Sequence, residues 1–197
     1  KINFKTYLKT LIYLKKKGYF IILIGREEIP KEFKNIIDWN YSESKHASLY
    51  NDFYIVQNSC FSIITASGAS YIPDSLDIPY LYLNSWHISK PGGYGKKSII
   101  VPSRLFDKSL NRIISIKDQI SLENKSHVLY PDIFLEKNFK IVNASEEQIY
   151  KSMIDLMQIV DHNQLKNYIP VSSIADGKGF ANNSKALIDK SFLWYLF

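Results

Sequence analysis

The sequence predicts an α/β fold built on a mainly parallel sheet with helices on both faces. Three observations carry that expectation. The runs "YFIILIG" (19–25), "CFSIIT" (60–65) and "PYLYLN" (79–84) are short and continuously apolar, the pattern of strands covered on both sides. Amphipathic segments with helical spacing alternate with these runs. Small or Pro-marked breaks fall where a strand hands over to a helix, as repeated βα units with right-handed crossovers require.

Residues 4–17 read as the first helix, with Phe4, Tyr7, Leu8, Leu11, Ile12 and Leu14 on its apolar face and Gly18 ending it. Lys15, Lys16 and Lys17 suit the negative end of its dipole. The strand over 19–25 follows. After a loop around Pro30, "NIID" (35–38) reads as a short second strand, and 49–56 as a helix with Asp52 on its polar side. Residues 60–65 form the third strand, in which Cys60 reads as core filler, and 79–84 the fourth. A helix of about two turns over 70–76 lies between them, its start restricted by Pro73 acting on Ile72.

The stretch 85–98, "SWHISKPGGYGKKS", is polar, glycine-rich and basic, which predicts an exposed loop. "IIVP" reads as a short strand, "SIKDQIS" (115–121) as a small helix and "NFKIVN" (138–143) as extended chain. A Ser-x-x-Gln capping box then opens a helix: Ser145 caps while Gln148 reaches back, and Ile149, Met153, Leu156, Met157 and Val160 form the buried stripe. The end of the chain is small and polar through "SSIADGKGFANNS", then apolar in "ALIDKSFLWYLF".

The chain has 197 residues, enough for one domain with attachments. With 46% hydrophobic and 22% charged residues it reads as globular rather than disordered. It opens at Lys1 directly in helical pattern, which predicts a segment of a longer protein. Its single cysteine excludes an internal disulfide and fits a reducing compartment. No apolar run reaches the ~18 residues needed to span a bilayer as a helix. A net charge of +6 favours anionic partners: nucleotides, phosphoryl groups, nucleic acid or an acidic lipid surface.

The most informative stretch is "TASGAS", Thr65, Ala66, Ser67, Gly68, Ala69 and Ser70, placed between the third strand and its helix. In an open parallel sheet ligands bind beyond the carboxyl ends of strands, where a helix start offers unpaired amides. Small side chains let phosphate oxygens reach those amides, and the Thr65, Ser67 and Ser70 hydroxyls add donors. An ordinary helix cap by Ser67 or Ser70, with Gly68 supplying an unusual φ, fits the same residues equally well.

Other chemistries find no pattern here. Ser67 lacks the flanking glycines of a nucleophile elbow, and neither a phosphate-binding Gly-x-x-x-x-Gly-Lys-Ser/Thr nor a dinucleotide Gly-x-Gly-x-x-Gly occurs. His46, His87, His127 and His162 are scattered without metal-ligand spacing, so neither a metal site nor another cofactor is expected. Basic residues are not interleaved with aromatics as in a nucleic-acid module, so no nucleic acid is expected as partner.

In order and spacing, "KKGYFIILIG", "IIDW", "CFSIITASGASYIPDSLDIPYLYLN", "SIIVPSRLF" and "FKIVNASEEQIYKSMIDLM" resemble the carboxyl-terminal half of a family of bacterial glycosyltransferases of surface-polysaccharide biosynthesis. The resemblance covers roughly residues 4–160. It implies a Rossmann-like sheet like the C-terminal domain of a GT-B enzyme, in which small residues at a helix start hold a nucleotide diphosphate. On that basis Thr65, Ser67, Gly68, Ala69 and Ser70 face the diphosphate, Gly25 and Arg26 open the first strand-end loop, and Asn84 ends the fourth strand near the ligand. Trp39 and Tyr41 fall where some members contact the base. The family's strand Arg is Leu23 here, so Arg26, or Lys96 and Lys97 in the basic loop, would neutralise phosphate.

The resemblance implies a metal-independent glycosyltransferase using a nucleotide-sugar donor and a glycan or lipid-linked acceptor. Residues 1–165 would be the nucleotide-sugar-binding domain, and 166–197 a tail and helix packing on an amino-terminal domain that this sequence lacks and that usually supplies the catalytic base. No residue here is assigned as catalytic. The expected location is the cytoplasm, with peripheral contact at the inner face of the membrane as the extension of it. A nucleotide-sugar 2-epimerase of the same architecture and a non-catalytic nucleotide- or glycan-binding scaffold are the alternatives.

Overall fold

The computed structural model describes residues 3–65, 67–85, 88, 97–126, 138–162, 168–170 and 187–189. They form a mixed α/β fold of helices and largely parallel strands. A 3-10 turn at Phe4–Tyr7 leads into α1 (Leu8–Lys16), which buries Leu11 and Leu14 and ends at Gly18, whose φ of +85° is the left-handed conformation that stops a helix.

β1 (Ile22–Leu23) pairs in parallel with β2 (Trp39–Asn40), Ile22 lying opposite Trp39. The strand expected at 35–38 thus forms later. Lys31–Phe33 make a 3-10 turn, and the amides of Ile36 and Ile37 donate back to the Phe33 carbonyl at 2.9 and 3.0 Å. That curl buries Ile37, and the chain extends only beyond Asp38.

Asp38 holds the two ends of this unit together. Its carboxylate accepts the Ile21 amide at 2.7 Å and the Lys15 ammonium at 2.5 Å. The Ile21 hydrogen bond first, and Lys15 second, hold its carboxyl below the usual carboxylate range. Lys15 therefore serves as an ion-pair partner rather than only as a charge at the end of α1.

α2 (Leu49–Gln57) is capped by Ser48, whose Oγ accepts the Asn51 amide at 3.2 Å. β3 (Ser62–Thr65) runs into a 3-10 turn at Gly68–Ser70, α3 (Tyr71–Ser75) and β4 (Tyr80–Ser85). The rest comprises β5 (Ser98–Pro102), β6 (Arg104–Asp107), β7 (Arg112–Ile113), α4 (Ile116–Ser126), β8 (Phe139–Val142), α5 (Glu146–His162), β9 (Tyr168–Pro170) and β10 (Leu187–Asp189).

The main sheet has the order β3-β4-β5-β10-β9, parallel throughout except that β9 runs against β10. Tyr80 and Tyr82 point toward α3: the Tyr80 hydroxyl donates to Asp74 at 2.9 Å, and that of Tyr82 shares a hydrogen bond with Ser70. Strand alternation sends Leu81 and Leu83 to the opposite face. Both are fully buried, in a core shared with Leu11 and Leu14 of α1 and Ile149, Met153 and Leu156 of α5.

β6, flanked by β7 and β8, makes a separate antiparallel sheet over a small core of Leu105 and Ile114. The capping box of α5 forms as the sequence predicts: Gln148 N–H donates to Ser145 Oγ at 3.3 Å, and Ser145 N–H to Gln148 Oε1 at 2.9 Å. Val160, expected in the buried stripe of that helix, is 37% exposed, because the stripe passes from Leu156 to Ile159 instead. Cys60 is exposed, since β3 begins only at Ser62 and the thiol lies before the sheet. The closing segment is not wholly a tail: Leu187–Asp189 extend the main sheet along the edge of β5.

Two stability outcomes follow from this packing. Asp38→Asn should cost about 1 kcal/mol at neutral pH, since it weakens a charge-assisted amide bond and a solvent-screened ion pair. Because the folded carboxyl titrates below the unfolded one, that difference should shrink as pH falls below about 4, as measured by urea melts across pH. Thr10, fully buried on α1, has a hydroxyl with no partner among the described residues. Thr10→Val should raise stability by about 1 kcal/mol in the same melts.

Candidate functional site

The turn at the carboxyl end of β3 is the feature on which the predicted site converges. Thr65 closes β3 opposite Leu83 and is half-buried. Ser67 is exposed and extended, at φ −157° and ψ 168°, and its side chain makes no capping hydrogen bond. Ala69 is exposed as well.

Ser70 has a different task. It is 2% exposed, its hydroxyl donates to the Ser67 carbonyl at 2.6 Å, and its amide donates to the same carbonyl at 3.1 Å. Beneath it the Tyr82 hydroxyl shares hydrogen bonds with Ser85 and Ser70, and burial raises the Tyr82 pKa. The Ser67 carbonyl is thereby committed to Ser70. Among the described residues no acceptor meets the Gly68 or Ala69 N–H. Of the hydroxyls expected to face a ligand, that of Ser67 is exposed and that of Ser70 is spent on the turn itself.

The first strand-end loop lies at the carboxyl end of β1. Glu27 folds its carboxylate back over Gly25, so that a side chain at this position would have to push the flexible Glu27 terminus aside. The Glu27 charge also reaches Tyr7, whose hydroxyl is pushed up to about 12, by burial first and by Glu27 second. Arg26 is exposed and shares a cleft of about 740 Å³ with Lys5, Glu27, Glu28 and Glu32. Three carboxylates offset the two cations, so this loop has no positive excess for phosphate.

Asn84 also works within the fold. Its φ is +57°, a left-handed conformation that Asn tolerates better than most residues, and its Oδ1 accepts the Ala144 amide at 2.8 Å. That bond ties the end of β4 to the chain entering α5. Trp39 is half-buried, its ring edge-on to Tyr41 with centroids 5.1 Å apart. Tyr41 is 1% exposed, and its hydroxyl donates to the carbonyls of His46 and Ser48 and accepts the Ser48 amide. A ring so enclosed offers no face to a base, which corrects the placement expected of Tyr41. Lys97 is exposed, whereas Ala66, Lys96 and the remainder of the basic loop except Ile88 and Ser98 lie outside the described residues or at its strand ends.

A buried polar network beside the end of β4 went unread in the sequence. Glu123, 6% exposed on α4, accepts the Ile88 amide with both oxygens, at 3.1 and 3.0 Å. One turn earlier Gln119 donates to the Ser103 carbonyl at 3.1 Å and accepts the Leu105 amide at 3.3 Å. Ser103 in turn donates to Asn143 Oδ1 at 2.8 Å. The available signal was Gln119 and Glu123, four residues apart on the same face as Ile116 and Ile120.

Among the described residues no three His, Cys, Asp or Glu side chains converge as metal ligands, and no helix is long and apolar enough to cross a membrane. Comparisons with protein-family models, curated proteins and solved structures found no match to this chain.

The double role of Asn84 is separable by substitution. Asn84→Gly keeps the left-handed backbone and loses the Ala144 bond, whereas Asn84→Ala loses both. The alanine variant should therefore be the less stable of the two by about 1 kcal/mol, read from paired denaturant melts.

Proposed function

We propose that the chain is the donor-binding half of a glycosyltransferase of GT-B architecture that uses a nucleotide-sugar and does not depend on a metal. The observation that carries this reading is the turn after β3: exposed Ser67 and Ala69, and amides at Gly68 and Ala69 that meet no described acceptor. The ordered resemblance of residues 4–160 to the carboxyl-terminal half of bacterial surface-polysaccharide glycosyltransferases supports it further.

In this reading the Gly68 and Ala69 amides and the Ser67 hydroxyl donate to diphosphate oxygens. Hydrogen bonds to charged acceptors contribute about 1.5–3 kcal/mol each, and they count most when negative charge builds on the departing diphosphate. α3 is only five residues long, so these individual donors matter more than its dipole. The acceptor would be a glycan or a lipid-linked glycan, and the catalytic base would come from a second domain.

A non-catalytic nucleotide-binding scaffold is the second reading. It is favoured by Leu23 at the family's Arg position and by the carboxylates that offset Arg26.

Calorimetry with UDP, GDP, CDP, ADP and TDP, with and without Mg²⁺, tests the binding step. One of them should bind, and Ser67→Phe, at an exposed position, should weaken that binding at least tenfold while leaving the melting temperature unchanged. Absence of binding by every nucleotide would overturn the proposal. Binding without sugar transfer by the full-length protein would favour the scaffold.

A further inference from the structure

The aromatic surface of α2 stands apart from the site described above. Leu49, Tyr50, Phe53 and Tyr54 are 69, 79, 39 and 61% exposed, and they recur at helical spacing on one face. Tyr71, 59% exposed, starts α3, the element that packs against α2. α2 buries only Val56 below a tenth exposure.

At the ~200 Å² that a whole side chain of this size presents, the four α2 side chains leave roughly 500 Å² of mainly apolar surface in contact with water. That lies in the upper part of the range for a monomer's largest apolar patch, about 300–600 Å².

We infer that this face pairs with the same face of a second copy of the chain. Area is the first argument. A two-fold pairing counts the patch twice and buries about 1,000 Å² from α2 alone, the area a specific interface has to reach, before any rim contact is added. Charge is the second argument. The chain carries +6, so most faces of two copies repel, yet the four α2 side chains and Tyr71 are all uncharged.

An antiparallel crossing of two α2 helices adds a favourable end effect. It brings Lys45, exposed just before the helix, beside the negative carboxyl end of the partner's helix. Tyr hydroxyls at the edge of such a contact remain hydrated while their rings are buried, which suits a two-fold interface. The pairing does not depend on the proposed nucleotide site.

Sedimentation equilibrium of the chain under reducing conditions, from about 1 to about 100 µM, reads the association directly. A mass rising to that of two chains is expected. Tyr50→Asp and Tyr54→Asp should each raise the dissociation constant at least tenfold, because each would bury an unpaired carboxylate, and circular dichroism should be unchanged at these exposed positions. Should an aspartate variant lose its fold, Tyr50→Ser gives the same reading with a smaller rise. A single-chain mass at the highest concentration, or a dimer indifferent to all three substitutions, overturns the inference.

Discussion

β4 is buried along nearly its whole length, so most of its polar atoms lie out of reach of water. Each of those atoms must find a partner inside the protein, and those partners shape the surroundings of the turn. Tyr80 reaches Asp74 and Tyr82 reaches Ser70 and Ser85, while Asn84 takes the Ala144 amide. A lost partner here would leave a buried polar group unsatisfied, at a cost of about 1–3 kcal/mol. Position and conformation of the β3 turn, of α3 and of the entry to α5 are therefore linked through one strand.

The small residues after β3 divide between two roles that look alike in sequence. Ser67 and Ala69 face outward, while Ser70 turns in to bond the Ser67 carbonyl and Tyr82. A serine at such a turn is equally suited to a ligand or to the backbone, and only the neighbour below decides. Here Tyr82 decides for Ser70. At Gly25 the neighbouring group is the Glu27 carboxylate, two residues along the chain, which sets negative charge beside the first strand-end loop.

What was legible in the sequence was what local physics determines. The Ser145 and Gln148 capping box is read from four consecutive residues, and β4 from an unbroken apolar run. β2 was displaced because Phe33 draws Ile36 and Ile37 into a curl, a preference that apolar character alone does not reveal. Tyr41 and Asn84 carry hydroxyl and amide groups that suit a ligand, yet partners distant in the chain or across a loop have engaged them. The network of Gln119 and Glu123 escaped notice because a polar residue on a buried helical face looks like a surface residue until its amide partners are in place. The apolar segment near the chain's end showed its character but not its destination, the edge of β5.

That destination has a consequence for synthesis. Leu187 lies beside Ile99, so the strand that covers β5 leaves the ribosome long after β5 itself. Until then Ile99 and Ile100 present an apolar edge without its later partner, the kind of surface that templates intermolecular strand addition. Chains cut short before residue 187 keep that edge unpaired, which favours association between copies over folding.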